Sequence, residues 1–68
     1  MEILKQHTLH LRKIGEHVRK EGIVLRKIGE EFVTHRFDTD IKGEQHYYWG
    51  HYFKDYKDAL IDYIERKV

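Results

Sequence analysis

Six histidines are the first side chains in this sequence that could do chemistry. His7 and His10 would lie one turn apart on a helix, with His17 seven residues beyond, a spacing that could turn imidazoles toward one metal ion. Zinc needs a third and usually a fourth ligand with supporting partners. The chain has no Cys and no HExxH pattern, so no metal site is expected. Asp38-Thr39-Asp40-Ile41-Lys42-Gly43 opens like a calcium loop, but Lys42 stands where an oxygen ligand belongs and the twelfth position is Trp49. It reads as a connector. Asp58 and Asp62, four apart, are expected to be solvated on a helix face rather than paired for acid–base work. Ser and Cys are absent, and the three Thr have no evident partner for nucleophilic chemistry. A pH response would run through His35 or His46. These residues predict neither an enzyme nor a cofactor.

Binding is better supported. The chain is short (68 residues), 37% charged and 40% hydrophobic, with 13 basic and 12 acidic residues, a net charge of +1 and no Pro. That length predicts a single domain, residues 1–68, with a small core. The absence of Cys fits a reducing, cytoplasmic location. Met1 is followed by Glu2, and apolar runs stop at three residues, so neither a signal peptide nor a membrane span is expected. From Lys5 to Arg36 the chain is mostly basic, and acidic residues are denser from Asp38 to Glu65. This asymmetry predicts one charged face.

Positioning elements follow from the periodicity. Leu4, His7, Leu11, Ile14 and Val18 make a 3-4-3-4 stripe that predicts an N-terminal helix over 1–22, capped near Gly22. The alternation from Thr8 to Arg12 offers a strand instead. The stripe could pack on its own sheet or on a second copy, so a homodimer is one hypothesis. The hexapeptide LRKIGE occurs at Leu11–Glu16 and again at Leu25–Glu30. β-Branched and aromatic neighbours make the second copy extended: a strand over Ile23–Ile28, a turn at Gly29-Glu30 and a strand over Phe32–Asp38. The same six residues would then be helical once and extended once. A connector with Gly43 at positive φ leads to an aromatic strand, HYYWGHYF, in which Gly50 marks a bulge or close packing. Tyr47, Trp49 and Phe53 are expected inside, Tyr48 and Tyr52 outside. Asp55 caps a final helix over 55–67, whose buried face is Tyr56, Ala59, Leu60, Tyr63 and Ile64, with Val68 a further candidate. The expected fold is thus α+β: an N-terminal helix, a three-stranded antiparallel meander over 23–53, and a C-terminal helix packed on the sheet.

From Leu25 onward the order resembles the three-strand-plus-helix DNA-binding fold of plant ethylene-response-factor domains and of tyrosine-integrase arm-binding N-terminal domains. The carrying residues are Phe32-Val33-Thr34-His35-Arg36-Phe37-Asp38, Trp49-Gly50-His51-Tyr52-Phe53, and Tyr56-Lys57-Asp58-Ala59-Leu60 with Tyr63. Two departures stand out: GHYF is one residue longer than the family's G-x-F, and Leu60 replaces its second helix Ala. The resemblance implies that the sheet face opposite the helix docks in the major groove. With Val33 and Phe37 toward the helix, Arg26, Lys27, Thr34, Arg36, His46 and Tyr48 become the nucleic-acid contacts. The function this implies is a small non-enzymatic DNA-binding module, a regulator or accessory protein of a mobile element, with duplex DNA as partner. The alternative is a phage-like protein-binding inhibitor or adaptor that engages a protein target through Tyr48, Tyr52 and an edge strand.

Overall fold

Two tight turns of identical sequence set the architecture. In the computed structural model, which describes residues 2–67, Gly15 and Gly29 both adopt φ +61°. The Glu that follows each glycine stays at negative φ, the signature of a type II′ hairpin whose twist suits antiparallel strands. Both copies of LRKIGE therefore do the same thing: each ends a strand and turns it. The elements are β1 (Glu2–Ile14), β2 (His17–Ile28), β3 (Glu31–Thr39), β4 (Gln45–Phe53) and α1 (Tyr56–Arg66). The strands form one antiparallel sheet in the order β1-β2-β3-β4. It is an α+β fold with four strands and one helix.

The predicted N-terminal helix is absent, and residues 1–22 contribute β1 and the start of β2 instead. The helical-looking stripe is no single face of the sheet: by their ladder partners His7 and Ile14 lie on the helix side and Leu11 and Val18 on the other, and all four are exposed. β1 carries two bulges against β2, which leave Leu4 and Leu9 without ladder partners. Each bulge inserts a residue and shifts the in–out alternation by one. Both bulged leucines pack against the core under α1. The strand alternative from Thr8 to Arg12 is the correct reading of that segment.

α1 covers one face of the sheet. Ala59 and Tyr63 pack on Ile23 and Leu25, with Phe32, Phe53 and Leu60 at the margin. Asp55 caps the helix by accepting from the Lys57 amide at 2.7 Å. Tyr56 and Ile64, expected inside, are exposed, although the Tyr56 ring meets Phe32 edge-on at 5.4 Å. Val68 lies outside the described residues.

The opposite face is closed as well. Val24, Val33 and Phe37 are fully buried there, and the edge strands lean over them until the Gln6 and Gln45 amides exchange hydrogen bonds at 3.0 and 3.2 Å. Gly22 permits this curl, because a Cβ at that position would lie 2.8 Å from the Phe37 ring and 2.0 Å from the His7 carbonyl oxygen.

The β1–β2 hairpin outgrows the sheet. β2 pairs with β3 only from Glu21↔Asp38 inward, so beyond that pair the two strands continue alone as a ribbon roughly 15 Å long, at about 3.3 Å per residue. The Arg19 Nε donates to the Thr39 carbonyl, and the Lys20 amide donates to the Thr39 hydroxyl, pinning the ribbon at its base. No helix among the described residues is long and apolar enough to cross a membrane.

Gly22→Ala is expected to lower stability by about 2 kcal/mol or more, because the clash involves backbone and a packed ring. The same change at Gly29, where nothing lies within 4 Å of the new carbon, meets only the penalty of its positive φ. Thermal denaturation of the two variants side by side checks the ranking.

Candidate functional site

Two surface features carry unneutralised chemistry, and they arise from different elements. The first is the ribbon. Its ladder pairs Leu11 with Lys20, Arg12 with Arg19, Lys13 with Val18, and Ile14 with His17. Four cations thus stand against the single carboxylate of Glu16. Successive side chains on a strand alternate faces, so cations appear on both sides of the ribbon. Placing Arg12 directly across from Arg19 sets like charges opposite each other, an unfavourable pairing in a free sheet. Asp38 offers Arg19 only a distant 3.9 Å contact. Leu11, Ile14 and Val18 are exposed, since no third strand or helix reaches them.

The second feature is a bulge on β4. Thr34 pairs with His51 and Arg36 with Tyr48, so His35 alone faces both Trp49 and Gly50. Trp49 sits at φ +54°, the only non-glycine residue at positive φ among those described. That conformation costs about 1–3 kcal/mol and requires support from its surroundings. Arg66 supplies it: Nη2 donates to the Trp49 carbonyl at 2.8 Å, while Nη1 donates to the Thr34 carbonyl and hydroxyl at 3.1 Å each. The Trp49 side chain is 69% exposed and meets Tyr48 edge-on, with centroids 5.1 Å apart.

Asp62, one turn before Arg66 on α1, completes this clamp. It accepts from the Thr34 hydroxyl and from His51 Nδ1, the latter at 3.0 Å. Burial raises its pKa, but the hydrogen bonds from Thr34 and His51 and the nearby positive charges outweigh that and hold it below the usual carboxylate range. Asp62 is therefore a structural anchor rather than a solvated surface group, whereas Asp58 is exposed. Burial depresses the pKa of Arg66, and the neighbouring Arg36 charge adds to the effect against the pull of Asp62.

The sequence-predicted contacts are scattered. Val33 and Phe37 face away from the helix, one residue out of phase with the expected alternation, so Thr34 and Arg36 lie on the helix side. Thr34 is fully buried under α1. Arg26 is 8% exposed on the closed face, its guanidinium 4.0 Å above the Tyr47 ring, and its Nε lacks a partner among the described residues. Neither can meet a ligand directly. Lys27 is exposed at the end of β2 remote from the ribbon, with its ammonium 5.8 Å from the Phe32 ring. Arg36 and Tyr48 are half-buried cross-strand neighbours on the helix side. His46 is exposed and bound to Asp40 at 3.0 Å; that hydrogen bond raises the His46 pKa and lowers the Asp40 pKa. Asp40 also accepts from the Lys42 and Glu44 amides, which closes the connector around Gly43.

Of the three rings expected inside, Tyr47 and Phe53 are half-buried and Trp49 is outside. Tyr48 is half-buried and Tyr52 is 62% exposed, on the closed-face side near His35. The ribbon is not among the expected contacts, yet its signal is in the sequence: the basic pairs Arg12-Lys13 and Arg19-Lys20 stand on either side of the Gly15-Glu16 turn. No group of three or more His, Asp or Glu side chains among the described residues is arranged to hold a metal ion. No family model matches the chain, and no curated protein and no solved structure matches it either.

His35 is buried between the Tyr47 and Tyr52 rings, over the space left by Gly50, and neither ring nitrogen has a partner among the described residues. Burial, reinforced by the charges of Arg26 and Arg66, pushes its pKa below the ordinary value of 6.5. The unfolded chain then binds a proton that the native state refuses, so the stability that neutral His35 preserves is full above pH 6.5 and falls as pH drops below it. Denaturant unfolding at mildly acidic and neutral pH should show this loss, and His35→Leu should flatten it.

Proposed function

We propose that this protein is a small non-enzymatic nucleic-acid-binding module that engages duplex DNA through the β1–β2 ribbon. The observation that carries the reading is the projecting basic hairpin itself: Arg12, Lys13, Arg19 and Lys20 on a two-stranded ribbon whose apolar side chains have no core to enter. A two-stranded ribbon fits the B-DNA major groove, about 12 Å wide. Phosphates on both walls would neutralise cations on both ribbon faces and relieve the Arg12–Arg19 repulsion, which gives the ligand a stabilising role in the ribbon's own structure. Arg36, Tyr48 and His46, on the helix side of the sheet, are secondary contacts.

The docking mode differs from that of the fold which residues 25–66 resemble. There the sheet face opposite the helix lies on DNA; here that face is curled shut over Phe37. The resemblance supports the class of partner, not the surface. A regulatory or accessory role on a mobile element and a cytoplasmic location belong to the same proposal. A second reading, attachment of a protein target to edge strand β4, draws on the exposed Tyr52.

Duplex binding followed by fluorescence anisotropy between about 50 and 200 mM salt is expected to weaken steeply, with each phosphate contact adding about 0.9 to the log–log slope. Replacing Arg12 and Lys13 by Ala should flatten that slope by about two contacts, while Lys27→Ala leaves it unchanged. Absence of duplex binding at the low-salt end ends the proposal. Nuclease-resistant, salt-insensitive capture of a protein, lost on Tyr52→Ala, would establish the second reading in its place.

A further inference from the structure

We infer that Trp49 is a stacking platform for an unpaired nucleobase, so that the protein has a single-strand contact distinct from the duplex-binding ribbon. This deepens the nucleic-acid reading and rests on it for the class of ligand. Three observations converge. A bulge re-aims side chains out of a strand's regular alternation, and this one turns the chain's only Trp outward when its strand neighbours Tyr47 and Phe53 are half-buried. The conformation that does so is unfavourable for Trp and is held by a hydrogen bond from the Arg66 guanidinium to the Trp49 carbonyl. An indole that merely filled space would need neither the bulge nor its support.

Electrostatics selects the occupant. The charge of Arg66 is opposed by Asp62, whereas Arg36, close enough to act on Arg66, has no ion-pair partner among the described residues. Arg36 is cross-strand from Tyr48, whose ring abuts Trp49. An aromatic surface beside the Arg36 guanidinium suits a ligand with a flat π-face and an adjoining anion. A nucleotide of a single strand has both, whereas a base inside a duplex has its faces already stacked. The two sites together would suit a junction between paired and unpaired nucleic acid, with the ribbon on the duplex and Trp49 on the first free base.

Trp49 reports on its own occupancy. Titration of the full chain with an oligothymidylate should quench its fluorescence to saturation, and the quench should persist when Arg12 and Lys13 are Ala. Trp49→Gly, which suits the positive φ, should keep or raise the melting temperature and leave duplex affinity unchanged. Its affinity for labelled oligothymidylate should fall roughly tenfold, the order contributed by one base–aromatic stack. Trp49→Phe should lie between. Duplex binding without any quench by oligothymidylate, or undiminished oligothymidylate affinity in Trp49→Gly, overturns the platform and leaves the ribbon standing. Failure to bind either nucleic acid overturns both.

Discussion

The run Gly22–Arg26 in β2 is the longest segment among the described residues buried on both faces of the sheet, and the rest of the molecule is arranged to make that possible. Ile23 and Leu25 lie under Ala59 and Tyr63 of α1, while Val24 lies under the curled opposite face with Phe37. A small domain has too little apolar surface to bury two separate cores, so the two central strands must serve both, β2 most of all. Gly22 is the hinge of the arrangement, because the approach of the Phe37 ring leaves no room for a side chain. Where β3 ends, at Thr39, that double coverage stops, and β2 with β1 continues into solvent as a basic ribbon.

On the helix side, polar groups do what further aliphatic side chains would do in a larger protein. Asp62 and Arg66, one turn apart on α1, grip Thr34 on β3, and through His51 and the Trp49 carbonyl they reach β4. Each buried partner is satisfied by another, so the network is sensitive to removal of any one member. The grip also fixes the β4 bulge. The same contacts that dock the helix therefore present Trp49 to solvent, which couples the integrity of the fold to the geometry of the proposed single-strand contact.

Legibility varied with how local each determinant was. Asp55 as helix cap, the Gly43 connector, the aromatic strand from His46 to Phe53 and the bulge at Gly50 all follow from short-range chemistry, and the structure has them. The N-terminal segment reads as a helix because its apolar residues recur at helical spacing, although the ladder divides them between two strands and both faces of the sheet and leaves Leu11, Ile14 and Val18 exposed. Facing on β3 was read one residue out of phase. Both phases of Phe32–Asp38 put plausible residues inward, and the choice rests on Thr34 finding Asp62 and Arg66 across the sheet. Arg26 left the candidate interface for a similar reason: a buried guanidinium is tolerable only because the Tyr47 ring is there to receive it.

The repeated hexapeptide draws the line between the two levels of information. The hexapeptide carries a turn in both copies, a glycine free to take positive φ at the first turn position, but sequence pattern alone assigns that turn only to the second copy and reads the first as helix. Only the tertiary structure decided what each copy is for. Leu25 is 0% exposed, between neighbouring strands and beneath a helix, while Leu11 is 67% exposed on a hairpin that outruns its sheet. Turn geometry is set by backbone torsions within a few residues, but burial depends on which distant strands are long enough to arrive alongside. No local pattern in either hexapeptide encodes that.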